Sequence, residues 1–450
     1  MTNIRVAFLT LGCKVNYYET NRIKSEFEHS GAKTVPFSET ADIYIVNTCT
    51  VTNIADRKSR KMLHRARRLN EKAMVVAIGC FAEANKGKTE EFDYVDLLIE
   101  NEKKTDAYSI IMEEYSKHYD ICTDEVIITE PGSVLTEEQS EENERTRAYV
   151  KVQDGCNQFC SYCKIPYVRG RLRSRDCNDV IDEITALSEK GYKEVVITGI
   201  HLSSYGLDKS DTKSFVELKG KPLLELLGEI ENISGIERIR LGSLEPRIIT
   251  KDFLEGLVKL EKICPHFHLS LQSGCDKTLR AMNRKYTAKE YCDACILINE
   301  YYDRPAITTD IIVGFPGETT EDFKECLEFT RKIGFSDIHV FKYSMRDGTK
   351  AALMENQIAE SIKHDRSSIL IESGNNETKK YISSFIGERQ LCLVEEVVSV
   401  NEKDYFVGHN ERYVKLVIPV EKGQNNMENE IVSVIAEEII DDNMLLCTFE

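Results

Sequence analysis

The sequence predicts an α/β protein in three parts: an N-terminal doubly wound parallel domain, a central partial barrel of six βα units, and a small β-barrel at the C-terminal end. Apolar strand runs alternate with amphipathic helical runs through the first part. The alternation resumes with longer repeats from about Arg147, and short β-rich runs broken by turns fill the last stretch. A chain of 450 residues also exceeds what one ordinary core organises, so several domains are expected. Their expected bounds are residues 1–123, an acidic linker at 124–144, then 145–374 and 375–450.

In the first part "RVAFLTLGC", "DIYIVNTC" and "AMVVAIGC" read as strands, separated by the amphipathic "TNRIKSEFEHSG" and by a strongly basic helix. Continuous apolar runs separated by helices are the pattern of a parallel sheet covered on both faces. The polar, acidic "TEEQSEENE" has linker composition. Six strands follow in the central part: "AYVKVQD", "KEVVITG", "IERIRLG", "FHLSL", "AITTDIIVG" and "DIHVFKY". Helical stretches such as "SRDCNDVIDEITALSEKG" and "TTEDFKECLEFTRKIG" alternate with them. Six units open rather than close a barrel, and its chemistry belongs on the loops after the strand C-termini. "RQLCLVEEVVSV", "YFVGHNERYVKLVIPV" and "NMLLCTFE" supply the terminal β domain.

No apolar run is long enough to span a bilayer, and the N-terminus lacks the order of a signal peptide, so a cytoplasmic location is expected. In a reducing compartment the 15 cysteines are not a disulfide framework. Most are then small buried hydrophobes, and a few are free to hold metal. The net charge of −17 excludes indiscriminate nucleic-acid binding but not a local basic surface.

Cys156, Cys160 and Cys163 form C-x3-C-x2-C directly after the first barrel strand. Soft thiolates suit an iron–sulfur cluster or zinc, but zinc takes four protein ligands and no fourth lies at finger-like spacing. The bland alternative is three cysteines in a loop. Cys13, Cys49 and Cys80 are far apart in sequence, yet each ends a predicted strand of the first part. Parallel strand C-termini share one edge, so these thiols can converge there; three core cysteines are the alternative.

Two stretches are basic. Between Asp56 and Lys72, the bases Arg57, Lys58, Arg60, Lys61, Arg65, Arg67, Arg68 and Lys72 outnumber Asp56 and Glu71 by six. Lys164, Arg169, Arg171, Arg173 and Arg175 follow the C-x3-C-x2-C motif. A charge run is commonly a solvated face, but two beside cysteine motifs favour phosphate contacts. From Glu388 onward, 14 acids face five bases, so the last domain is no general polyanion surface. The CxxC of Cys292 and Cys295 lies in an apolar-periodic helix and reads as core. Cys122, Cys177, Cys264, Cys275, Cys326, Cys392 and Cys447 read as packing residues. His201 and His268 lie near strand ends, where a site residue and a structural histidine are equally expected.

The C-x3-C-x2-C motif in this setting resembles the radical S-adenosylmethionine (SAM) superfamily. "LGCKVNYYET", "NTCTVTNIADRKSR" and "GCFAE" resemble the three cysteine motifs of its methylthiotransferase family. "FHLSLQSGCDKTLRAMNRKY", "TDIIVGFPGET" and "GHNERYVKL" agree, so the likeness covers essentially the whole chain. The residues around Cys13 and Cys49 are most similar to the branch acting on tRNA N6-threonylcarbamoyladenosine. "FKYSMRDGTKAA" departs from the proline-richer segment usual there.

The resemblance implies a central radical-SAM barrel, a terminal TRAM-like domain and methylthiolation of carbon 2 of that base at position 37 of tRNA, 3′ to the anticodon. It implies two [4Fe-4S] clusters, one on Cys156, Cys160 and Cys163 with an open iron that chelates SAM, the other on Cys13, Cys49 and Cys80. By the same likeness Tyr162 lies against adenine, the backbone of Thr198 and Gly199 meets the methionine amino group, and Glu245, Gln272 and Asp310–Glu318 contact cofactor or substrate. A flavodoxin- or ferredoxin-type electron donor and a sulfur source are implied too. The rivals are methylthiolation of isopentenyladenosine or of a ribosomal-protein aspartate, and a non-catalytic iron–sulfur or zinc protein that binds RNA.

Overall fold

A computed structural model describes residues 4–119, 146–209, 218–421, 423–440 and 443–450. Cys122 and the acidic stretch 124–144 lie outside the described residues. Two compact units emerge. The first comprises Met1–Ser140, Gly155–Arg171 and Ser344–Ala352; the second comprises Glu141–Asp154, Leu172–Tyr343 and Leu353–Glu450.

In the first unit β1 (Arg5–Thr10), β2 (Lys33–Val35), β3 (Ile43–Thr48), β4 (Met74–Gly79) and β5 (Leu97–Ile99) form an all-parallel sheet in the order β2-β1-β3-β4-β5. Every residue of β3 and β4 is buried, which is why they read as unbroken apolar runs. Side chains alternate between two cores. Tyr44, Val46, Val75 and Ala77 join Leu63 and Ala66 of α2 (Asn53–Leu69), while Ile43, Ile45, Val76 and Ile78 join Ile23 and Phe27 of α1 (Lys14–His29). The short α3 (Cys80–Ala84) follows β4, and α4 (Ala107–Tyr119) adds Ile111 and Met112 to the second core. The edge strands β2 and β5 are three residues each, too short to carry a periodic signal. The short α5 (Ile165–Val168) closes the cysteine loop contributed by 155–171.

The second unit holds the six expected strands: β6 (Arg147–Asp154), then, after the two-residue β7 (Arg173–Ser174), β8 (Glu194–Gly199), β9 (Arg238–Leu241), β10 (His266–His268), β11 (Ala306–Val313) and β12 (Asp337–Lys342). Parallel ladders link β6, β8 and β9, and separately β10, β11 and β12. Isolated parallel bridges, Ile239 to Ile263 and Leu244 to Leu269, join the two groups. The antiparallel β7 pairs with the end of β6 on its outer side. Helices α6 (Cys177–Glu189), α7 (Lys221–Glu231), α8 (Lys251–Leu257), α9 (Asp276–Ala281), α10 (Ala288–Tyr301) and α11 (Thr320–Ile333) alternate with the strands. Cys295 of α10 belongs to the core, and Cys292 beside it is buried.

Helix α12 (Glu360–Ser383) runs unbroken through 374/375, the point at which composition divides barrel from terminal domain. Beyond it β13 (Arg389–Val400), β14 (Lys403–His409), β15 (Lys415–Pro419), β16 (Ile431–Ile440) and β17 (Met444–Phe449) close a barrel in the order β13-β14-β15-β17-β16. A buried ionic centre ties this barrel to the six-stranded one. Glu194 on β8 is fully buried and meets Arg240 at 2.7 Å and Arg147 at 2.8 Å, and Arg147 reaches Glu395 of β13 at 2.5 Å. The Tyr413 ring covers both guanidinium groups. Among the described residues no helix is long and apolar enough to cross a membrane.

Candidate active site

Cys13, Cys49 and Cys80 sit where β1, β3 and β4 end, on the edge of the sheet where α/β folds bind ligands. Glycines make the approach possible. Gly12 has φ +104°, and a Cβ there would lie 2.8 Å from Cys49 Cβ and 3.0 Å from its sulfur. Gly79, with φ +93°, would press a Cβ to 2.6 Å from both Asn47 Oδ1 and the Thr48 carbonyl. The Cys49 thiol feels both Cys13 and Cys80, and Cys80 feels Cys13, so the three share one locus. Burial pushes the Cys49 thiol up to about 11 and raises Cys80 as well.

The first turns of α1 present polar groups to this locus. Asn16 and Glu19 are buried although a helix beside a core normally turns apolar residues inward. Asn16 Nδ2 donates to the carbonyls of Leu11 (2.7 Å) and Thr48 (3.1 Å), tying the two cysteine loops together. Lys104 donates to Glu19 and, at 3.5 Å, to Asn47. Arg169, just after the C-x3-C-x2-C motif, donates to Glu19 at 3.0 Å and to Asn16 at 2.6 Å.

This corrects the sequence expectation for Arg169. Its side chain is 0% exposed, so it is not an RNA contact; a guanidinium that finds a buried carboxylate is held inside the fold. Both Arg169 and Lys104 act on the Cys80 thiol, pulling it toward the thiolate. Burial, and repulsion from Arg169 against the pull of Glu19, lower Lys104 from its ordinary value. Two buried cations thus surround one carboxylate beside three thiols. Sequence reading missed Glu19, Asn16 and Lys104; the usable signal was Asn16 and Glu19 three and six residues after Cys13, on one helix face.

Cys156, Cys160 and Cys163 are half-buried in the 155–171 loop. The Cys156 amide donates to the Gly170 carbonyl (3.2 Å) and the Cys163 amide to the Cys160 carbonyl (3.0 Å), folding the motif on itself. Phe159 between them has φ +50°, a strained position for an aromatic residue, and Arg171 lies 4.7 Å from its ring centroid. Three half-buried soft donors fit an iron–sulfur group open to a further ligand. Tyr162 is half-buried in the same loop.

The segment 344–352 binds this loop to the Cys49 region. The Ala351 amide donates to the Ser161 carbonyl (2.8 Å) and Lys164 to the Asp347 carbonyl (2.7 Å). Arg346 reaches Thr50 at 2.5 Å and also bonds Asn53 at the start of α2. The departure from the family pattern noted in "FKYSMRDGTKAA" therefore falls on a segment that fastens both cysteine loops.

In the second unit, Thr198 and Gly199 end β8, where a Cβ on Gly199 would lie 2.9 Å from Gln153 Oε1. Gln153 Oε1 accepts from the His201 amide (2.7 Å), and His201 Nε2 bonds Glu245 at 2.8 Å. Burial opposes the Glu245 charge, but His201 and Arg247 hold the carboxyl down to about 2. Gln272 is buried at φ +70°, its backbone bridged to β11.

On α2, Arg57, Lys58, Lys61, Arg65 and Arg68 are exposed, opposite the buried Ser59, Leu63 and Ala66. Arg60 and Arg67 differ: Arg60 pairs with Asp56 at 3.1 Å and lies over Phe81, and Arg67 meets Asp96 at 2.5 Å. Arg171 and Arg173 are exposed, with Arg173 3.8 Å from Asp154.

Residues 150–330 match the radical SAM superfamily, and residues 5–100 match a family described as uncharacterized protein family UPF0004. Curated relatives named threonylcarbamoyladenosine tRNA methylthiotransferase MtaB come from Bacillus subtilis and Aquifex aeolicus. The first is 38% identical, covering 95% of this chain and 93% of its own; the second is 39% identical, covering 91% and 97%. A tRNA-2-methylthio-N(6)-dimethylallyladenosine synthase from Acetivibrio thermocellus is 35% identical over 88% of this chain and 81% of its own. Among solved structures, the radical SAM methyltransferase TsrM from Kitasatospora setae has a similar fold, with 15% identity, TM-score 0.52, and coverage of 75% and 73%. Radical SAM proteins use SAM with a [4Fe-4S] cluster, for which the half-buried thiols of 156–163 are fitting donors. The chain therefore belongs to the methylthiotransferase family of radical SAM enzymes, which transfer sulfur-containing groups.

Proposed function

We propose that this enzyme places a methylthio group on carbon 2 of N6-threonylcarbamoyladenosine at position 37 of tRNA, 3′ to the anticodon, using two [4Fe-4S] clusters. The observation that carries the two-cluster reading is the buried pair Lys104 and Arg169 around the single carboxylate of Glu19, beside Cys13, Cys49 and Cys80. Burial lowers Lys104 toward its neutral form, and an anion close by would favour its charged form. Three thiolates carrying an iron–sulfur group supply one, whereas three neutral core cysteines do not.

Carbon 2 of adenine offers neither a leaving group nor an acidic proton, so the hard step falls to the cofactors: SAM with the radical cluster would supply the radical, and the second cluster would hold the incoming sulfur, with a further SAM as methyl donor. The protein binds and orients. Cys156, Cys160 and Cys163 hold the radical cluster, and Cys13, Cys49 and Cys80 hold the second. Tyr162 and the backbone at Thr198 and Gly199 seat SAM. Glu245 acts through His201 and Arg247, which already engage its carboxylate, as a positioning residue. Gln272 sits at a strand end suited to substrate contact. The exposed Arg57, Lys58, Lys61, Arg65, Arg68, Arg171 and Arg173 meet RNA phosphates. A flavodoxin- or ferredoxin-type donor supplies electrons, a separate source supplies sulfur, and the enzyme works in the cytoplasm.

Threonylcarbamoyladenosine is preferred over dimethylallyladenosine because relatives named for the former reach 38% and 39% identity, whereas those named for the latter lie at 32–36%. Mass spectrometry of tRNA nucleosides from cells with and without the gene tests this. The 2-methylthio derivative of threonylcarbamoyladenosine should vanish with the gene. Loss of the dimethylallyl derivative instead would reassign the base.

A further inference from the structure

Three adjacent strands of the second unit bring two imidazoles and a carboxylate together. Asp310 on β11 and His339 on β12 are register partners, and His268 on β10 pairs with Thr308, two residues before Asp310. Ile307, Ile311 and Val313 belong to the core, and Ile338 and Val340 pack against it, so by alternation Thr308, Asp310 and His339 occupy the other face. One ligand atom from each of His268, Asp310 and His339 lies within 4.8 Å of the other two.

We propose that these three side chains form a binding site for a divalent transition-metal ion, of the two-histidine, one-carboxylate class. The His268 Nε2 to Asp310 Oδ2 separation is 3.3 Å, close to the ligand–ligand spacing of a tetrahedral site with bonds of about 2.0–2.2 Å. The outer groups also fit. His268 Nδ1 is fixed at 2.9 Å by Thr308 Oγ1, which orients the ring and directs its other nitrogen toward Asp310. Asp337 lies 3.5 Å from His339 Nδ1. Two carboxylates beside two imidazoles make the locality favour a cation over an anion. The two rings stack, with centroids 5.9 Å apart, and His339 and Asp337 are about half exposed, so an ion can enter. Three protein ligands leave a position for water or another oxygen ligand. Thiols holding an iron–sulfur cluster each bind a different iron, so the cysteine groups need not meet this closely.

The test uses the full-length, cluster-loaded protein prepared without oxygen and dialysed against buffered free Zn²⁺, with zinc and iron measured together. Wild type should take up about one more zinc per chain than His339→Ala or Asp310→Asn, at equal iron content. Thr308→Val should keep the site but weaken zinc binding about 10–100-fold. His339 is exposed, so its replacement spares the core, and unchanged iron reports an intact fold. Equal zinc in wild type and both variants overturns the proposal. So does zinc that disappears only together with iron, which assigns it to the cysteines. Neither result depends on methylthiolation activity.

Discussion

The two units each bury an ionic centre, and the two are balanced differently. Around Glu194 the arginines 147, 238 and 240 are matched by the carboxylates of Glu194, Glu395 and Glu411. Burial opposes the Glu194 charge, yet Arg240 and Arg147 hold its carboxyl down to about 2. That centre is complete by itself and joins two barrels. Around Glu19, two cations face one carboxylate and three thiols stand alongside. Burial lowers Lys104 in this second centre, so an anion beside it would favour its charged form.

The largest effects should come from the cysteines. Cys160→Ala should abolish both SAM cleavage and product, because the radical cluster loses a ligand. Cys49→Ala should abolish product while reductive SAM cleavage stays measurable. Normal product from Cys49→Ala would return the strand-end cysteines to ordinary core.

Much of this was legible in the sequence, for a physical reason. Strands buried on both faces, such as β3 and β4, leave unbroken apolar runs, and parallel strands align their ends, so the Cys13, Cys49 and Cys80 edge follows from pattern alone. The fate of individual charges did not. Arg169, Arg171 and Arg173 look alike in sequence, yet Arg169 is buried against Glu19, on a helix 150 residues away, while Arg171 and Arg173 are exposed. Arg60 and Arg67 were likewise indistinguishable from Arg65 and Arg68 until Asp56, Phe81 and Asp96 were placed beside them.

Charge removal should separate the two ionic centres. Glu194→Gln should destabilise the protein by about 3–5 kcal/mol whether or not iron is present. Its folded carboxyl is depressed from 4.5 to about 2, so the stabilisation is full above about pH 4.5 and fades as pH falls toward 2. The melting-temperature gap between wild type and variant should narrow over that window. Glu19→Gln should destabilise the iron-free protein by a similar amount but the cluster-loaded protein by clearly less, since the anionic cluster then faces Lys104 and Arg169. Equal shifts in both states would break the contrast.

The smallest effect concerns α2. Arg65→Glu with Arg68→Glu should leave iron content and RNA-free SAM cleavage unchanged. In binding titrations, tRNA affinity should fall, and its salt slope should become shallower by about 0.7–0.9 per lost phosphate contact. Arg67 is left in place because it holds Asp96.

Iron and sulfide counts on anaerobically reconstituted protein test the central claim most directly. Wild type should carry about eight irons per chain, and the variant with Cys13, Cys49 and Cys80 all replaced by Ala about four, with SAM cleavage retained. About four irons in wild type, or an unchanged count in the triple variant, would contradict a second cluster at the sheet edge.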